Sequence, residues 1–193
     1  MIARRAAAIA VLTAVTGMLA WLLFIGLPRW YAGPAATRAV VAATPSPAPS
    51  PPGRKIKARL YYVGDDGTRL TAVERDVSYG DGTVEQARQI IEAQIAPASE
   101  PLLSAVPPGT RLRSVFVTAR GEAYVDLSRE VAAAHGGGSQ DELLTVYTIV
   151  NALTENLPAV TAVQLLVDGK EVDTLAGHID LRRPIAKGPE WVE

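Results

Sequence analysis

Cysteine is absent from all 193 residues, which excludes disulfide staples, thiolate nucleophiles, Cys-ligated zinc, iron–sulfur clusters and lipid attachment to a cysteine of this chain. An extracytoplasmic domain with an adequate core needs no disulfide, so the absence does not place the protein in a compartment. Histidine is nearly as scarce, with His135 and His178 alone, and the stock of general bases and neutral metal ligands is correspondingly small. Acidic side chains are missing from the first 53 residues, where four arginines stand uncompensated. From Arg54 onward twenty acids face fifteen bases, a net charge of −5. A mildly acidic domain with scattered Lys and Arg is a poor match for nucleic acid, and no nucleic-acid partner is expected.

What the front of the chain does have is a long run without charge. Residues 6–27, AAAIAVLTAVTGMLAWLLFIGL, contain no ionisable side chain. As a helix they would span about 33 Å at ~1.5 Å per residue, close to the ~30 Å of a bilayer's hydrocarbon core. Arg29, Trp30 and Tyr31 follow as interfacial anchors. The rival reading is a cleaved secretory signal, whose apolar stretch usually runs only ~7–15 residues. The expectation is a signal anchor over 1–31, spanning at about 6–27. Arg4, Arg5 and the free amino group hold the amino terminus in the cytoplasm, and the remainder lies outside.

Residues 32–54 turn to Ala, Pro, Ser and Thr, with TPSPAPSPPG at 44–53. Such a segment cannot build a core and reads as an extended spacer, with a proline-rich ligand for a partner domain as the sharper alternative. At ~3.1 Å per residue of polyproline II it would reach at most about 65–70 Å from the bilayer.

A folded domain is expected over 55–185, followed by a loose tail at 186–193. Ile56, Ala58, Leu60 and Tyr62 alternate with Lys57, Arg59 and Tyr61, the pattern of a half-buried strand over 56–63. Asp65-Asp66-Gly67 marks a turn into a hairpin partner at 69–77. Thr83 and Gln86 have capping-box spacing before a helix with Val84, Ala87, Ile90, Ile91 and Ile95 on one face, stopped by Pro97. Strands follow at 111–118 and 122–127 around Arg120-Gly121. After the His135-Gly-Gly-Gly138 joint, Ser139 and Glu142 form a second capping box for a helix over 140–156. Its apolar stripe is Leu143, Val146, Tyr147, Val150, Leu153 and Leu157. A strand at 160–167 leads through Asp168-Gly169 to a return strand at 171–175. Hairpin-paired strands favour an α+β fold: a mainly antiparallel sheet with two main helices on one face, plus one amino-terminal transmembrane helix.

The residues offer little chemistry. The 136–138 glycines could cradle phosphate, but Ser139, Gln140 and Asp141 follow where a P-loop needs Gly-Lys-Ser/Thr; a hinge before a helix explains them. Asp65 and Asp66 lack the further oxygen ligands of a calcium loop and read as a solvated turn. Asp126, Ser128 and His178 are the residue types of a nucleophilic triad, yet Ser128 lacks the Gly-x-Ser-x-Gly elbow and His178 reads as closing a turn. Asn151 and Thr154, beside the long helix's stripe, are expected to fasten it to a neighbouring loop, with ligand binding as the alternative. No catalytic, cofactor-binding or metal-binding residue is assigned.

SAVPPGT (104–110), AYVDLS (123–128), ELLTVYTIVNALTENLPAVTAVQLLVDGK (142–170) and LAGHIDL (175–181), with KARLYYV (57–63), together resemble the sporulation and spore germination domain called GerMN. The resemblance covers most of 55–185, in one copy. It implies a fold akin to ring-building motifs, membrane tethering by a lipid or one helix, and a non-catalytic role in the cell envelope, without catalytic residues to carry over.

The expected function is therefore a non-catalytic, membrane-anchored binding or assembly module on the outer face of the cell membrane, related to sporulation or germination. Its expected partners are an envelope protein or peptidoglycan, and the membrane through residues 6–27. Self-assembly is expected only while tethered, and no cofactor is expected. The alternatives are an enzyme acting on a cell-wall polymer and an accessory subunit of a membrane complex.

Overall fold

A computed structural model describes residues 53–193, together with Met18 and Trp21, both helical and exposed. The expected transmembrane helix at 6–27 and most of the proline-rich spacer lie outside the described residues. Among those described, no helix is long and apolar enough to cross a membrane.

The chain folds as an α+β domain with two sheets. Strands β1 (Lys55–Val63) and β2 (Leu70–Ser78) form an antiparallel hairpin that stands as a separate two-stranded sheet. Helix α1 (Gly82–Ile95) follows, then β3 (Leu112–Val117) and β4 (Glu122–Leu127), a short α2 (Glu130–Ala133) and the long α3 (Ser139–Asn156). Strands β5 (Ala162–Val167), β6 (Lys170–Glu171) and β7 (Ile185–Ala186) complete the second sheet, in which β3, β4, β5 and β6 are neighbours in that order and β7 also pairs with β5.

The strand pairing is mainly antiparallel, as expected, but the single sheet is replaced by two and one pair is an exception. The hairpin does not join the larger sheet, and β4 and β5 run parallel, with Val125 opposite Leu165. A parallel pair needs a long crossover, and α2 and α3 supply it, forming a β-α-β unit. Helix α1 packs on β3 and on the hairpin, and α3 packs on β1 and β5, so both helices touch both sheets. Ile90, Ile91, Leu144, Ile149, Leu153 and Leu165 meet in the core with 0–2% of their surface exposed. Burying each such side chain stabilises by about 1.5–3 kcal/mol.

The helix starts differ from the capping boxes expected of them. At α1 the residue before the helix is Asp81, without a side-chain cap, and Gln86 Oε1 accepts the Gly80 N–H at 2.9 Å instead of reaching Thr83. At α3 the preceding residue is Gly138, whose φ of +93° suits glycine, and Glu142 is drawn into the core. Helix α3 is buried nearly all round: Leu144, Thr145, Thr148, Ile149, Asn151 and Ala152 are inside along with the expected Val146, Val150 and Leu153, while Leu143 and Tyr147 are only half-buried.

The carboxy-terminal residues, expected to be loose, are docked. β7 pairs with β5, Asn151 exchanges two hydrogen bonds with the Gly188 backbone at 3.0 and 3.2 Å, and Val192 bridges Leu70. The return strand expected at 171–175 is only two residues long, Lys170–Glu171, and by Leu175 the backbone is bonded to Glu142 of α3 instead.

Candidate functional site

Polar side chains buried in this domain serve mainly to hold backbone. Glu142, with 0% of its surface exposed, accepts the Leu175 N–H at 2.7 Å and the His178 N–H at 2.8 Å. Burial alone would push its carboxyl up, but the amides of residues 175, 176, 178 and 179 turn toward it and hold its pKa below the ordinary value. His178 Nδ1 stands 3.1 Å from the same carboxylate. The loop of LAGHIDL is thus wrapped around one buried anion.

The outer edge of β1 is closed by side-chain amides. Asn156 accepts the Arg59 N–H and donates to Arg59 O, both at 2.8 Å. Gln94 does the same for Tyr61, at 2.8 and 2.7 Å. Val63 N–H then donates to Leu103 O at 2.8 Å. Three successive outward-facing residues of the strand are satisfied without a neighbouring strand, by one residue from each helix and one loop.

The residue types of a triad are brought to different tasks. Ser128, on the segment after β4, exchanges hydrogen bonds with the Arg111 backbone, with N–H to O at 2.8 Å and N–H to Oγ at 2.9 Å. Asp126 accepts from Arg113 Nε at 3.0 Å and from the Gly169 N–H at 2.7 Å. His178 belongs to Glu142, and no hydrogen bond joins any two of Asp126, Ser128 and His178 among the described residues. Arg113 also reaches Asp168 at 3.1 Å, so the β5–β6 turn, where Asp168 has a φ of +50°, is tied across β4 to the β3 edge.

The remaining candidates also resolve structurally. Asp66 accepts the N–H groups of Thr68 and Arg69 at 2.8 and 3.3 Å and the Thr68 hydroxyl at 2.5 Å, a turn held by its own side chain. Among the described residues no three His, Asp or Glu side chains are grouped to hold a metal ion. His135 takes the Gly137 N–H on Nδ1 and meets Thr145 Oγ1 through Nε2, both at 3.1 Å, fixing the glycine joint against α3. Asn151 fastens α3 to the carboxy-terminal strap, as expected, whereas Thr154 bonds back to Val150 O at 2.8 Å within its own helix.

Two of the concavities among the described residues adjoin these anchors. A cavity of about 250 Å³ lies between the SAVPP loop, His135 and Thr145. A cleft of about 590 Å³ lies on the hairpin beside the carboxy-terminal strap, lined by Arg59, Tyr61, Ala72, Glu74, Val192 and Glu193 among others. Within it Glu155 is held by Arg59 at 3.0 Å and by Lys187. Burial, with the Glu155 charge beside it, pushes the Tyr61 phenol up to about 12. Sequence reasoning missed Gln94, Glu142 and Asn156 as backbone anchors and missed the cleft. The one available signal was the placement of long polar side chains among helical positions flanked by core residues.

No curated protein sequence matched the chain. Among solved structures, a presumed lipoprotein from Clostridium perfringens is 25% identical with a TM-score of 0.50, over 70% of this chain and 89% of that one. The tandem GerMN domains of the sporulation protein GerM from Bacillus subtilis are 18% identical with a TM-score of 0.51, over 69% of this chain and 45% of theirs. This chain therefore spans about half the length of the tandem protein, and shares its fold. The family model Germane, described as sporulation and spore germination, matches residues 59–173, and the chain belongs to that family.

Proposed function

We propose that the chain is a membrane-anchored binding or assembly module of the bacterial cell envelope, set outside the cytoplasm and without chemistry of its own. The observation that carries this reading is the fate of the polar residues: Glu142, Asp126, Ser128, Gln94 and Asn156 are each committed to backbone groups. A catalytic centre needs a nucleophile or base held free at a reacting atom. Membership of a family not known as catalytic, and likeness to a presumed lipoprotein, support the same reading. Residues 6–27 would be the anchor and the proline-rich segment the spacer, with spore formation or germination as the setting. Ring-like self-assembly in the membrane plane is the mode that the ring-building likeness suggests, because tethering raises effective concentration.

The test is to incubate the full chain with purified cell-wall sacculi and, separately, to cross-link it in intact envelopes. Co-sedimentation with unaltered sacculi, or cross-links to an envelope protein or a second copy, supports the module. Release of soluble sugar or peptide fragments from the sacculi overturns the non-catalytic reading.

A further inference from the structure

The hairpin has two edges; that of β1 is covered at Arg59, Tyr61 and Val63, whereas that of β2 is open through its middle. Gly64 N–H donates to Arg69 O at 2.8 Å and Tyr79 N–H to Arg54 O at 3.0 Å. This phase makes residues 71, 73, 75 and 77 of β2 face β1, and turns the backbone of residues 70, 72, 74, 76 and 78 outward. At one end Leu70 O accepts the Glu193 N–H at 3.0 Å, and at the other Ser78 O accepts from Gln86 Nε2 at 3.2 Å. Between those stops the outward N–H and C=O groups of Ala72, Glu74 and Asp76 have no partner among the described residues. The gap is three rungs long. Val192, bridging Leu70 in the parallel sense, shows that extended backbone fits on this edge.

Side chains 72, 74 and 76 share a face with Lys57, Arg59 and Tyr61. Asp76 is paired with Lys57 at 2.8 Å and Glu155 with Arg59 and Lys187, whereas Glu74 has no ion pair among the described residues. It lines the 590 Å³ cleft beside Glu193, whose carboxylate accepts the Thr71 hydroxyl at 2.8 Å and has no ion pair among the described residues. An extended strand on β2 would set alternate side chains directly over this cleft.

We infer that this edge is a docking site for an extended segment of a partner protein, paired to Ala72, Glu74 and Asp76 through its backbone, with a lysine or arginine entering the cleft beside Glu74. Main-chain bonds supply the affinity and the cleft the side-chain selection. Charge chooses the occupant: a second copy paired antiparallel about Glu74, or parallel in register, would place Glu74 against Glu74, which opposes pairing. The net charge of −5 from Arg54 onward favours a basic segment further. The inference rests on the reading of the chain as a binding module and names its surface.

The test uses the full chain in detergent micelles and a fluorescent eight-residue peptide of alternating threonine and lysine, followed by anisotropy. Binding is expected, at least tenfold weaker for the peptide with glutamate in place of lysine. It should also be at least tenfold weaker for a fully N-methylated counterpart that keeps the lysines but donates no backbone hydrogen bond. Glu74→Lys, at an exposed position, should weaken the lysine peptide at least tenfold and strengthen the glutamate peptide, with unchanged thermal unfolding. Equal binding of the N-methylated peptide, or no effect of Glu74→Lys, overturns the proposal in favour of adsorption. Binding that appears only after residues 44–52 are replaced by Gly and Ser makes the chain's own spacer the occupant and likewise overturns it. No peptide binding in a chain that still engages sacculi or envelope proteins overturns the edge while leaving the module reading standing.

Discussion

Glu142 Oε2 accepts the His178 backbone N–H at 2.8 Å from a position with no solvent exposure, thirty-six residues away in the chain. A residue in the first turn of α3 thereby fixes the loop that follows β6. Its environment is built for a carboxylate: replacing one oxygen by an NH₂ group would turn a donor toward donors. Glu142→Gln should therefore lower stability by about 2–4 kcal/mol, since bonds to charged groups and stranded buried donors each count for a few kcal/mol. Urea denaturation of the variant and parent measures it.

The same site sets a pH dependence. Glu142 is held below its ordinary value of 4.5 in the folded state, so its contribution is fully present above that pH and is lost as pH falls through the folded value. Denaturation midpoints measured downward from pH 5 should fall more steeply for the parent than for Glu142→Gln. Parallel curves would mean that other carboxylates dominate acid unfolding.

Gln94→Leu should cost more than Asn156→Ala. The first removes an amide that is 0% exposed and leaves both Tyr61 backbone groups unpaired in the interior; about 2–5 kcal/mol is expected. Asn156 serves Arg59 at a solvent-facing position, where water replaces the lost bonds, and about 1 kcal/mol is expected. Thermal unfolding of the two variants side by side gives the order.

Leu153→Ala should lower stability by roughly 2–5 kcal/mol, because Leu153 is 0% exposed on the apolar stripe of α3. Its apolar periodicity made this position legible from sequence, as it did β1, both helices and the Asp168-Gly169 turn. Periodicity could not show the polar half of the core. Gln94 and Glu142 look like solvent-facing positions until the strand or loop that each one satisfies is in place. The parallel pairing of β4 and β5 was also hidden, because two hairpin-like neighbours flank it; the helix lying between those strands was the overlooked sign of a crossover. The candidate docking edge was illegible for a different reason. It is defined by which backbone groups other residues leave unpaired, and no residue type marks that.

Gly188→Ala should detach the carboxy-terminal strap. A methyl group there would run into the Tyr147 ring, and accommodating it would break the two bonds to Asn151. Overpacking of this kind costs about 1–3 kcal/mol. Amide exchange at Gly188, and at Glu193 where it bonds to Leu70, should quicken well before exchange in the core of α3.

Reporter fusions after Gly53 should be active only outside the cytoplasm, as Arg4 and Arg5 ahead of an uncharged 22-residue run direct. Activity inside would remove the envelope setting altogether.

The closure of β1 by Gln94 and Asn156 also has a consequence in time. Strand β1 leaves the ribosome early, yet the amide that completes Arg59 follows 97 residues later, at the end of α3. At synthesis rates of about 5–20 residues per second, that interval is about 5–20 s. During it the hairpin can zip up through its turn and Gln94 can reach Tyr61, but the far side of β1 stays open at Arg59. A nascent chain of this design carries an incompletely covered strand edge until its second long helix has emerged.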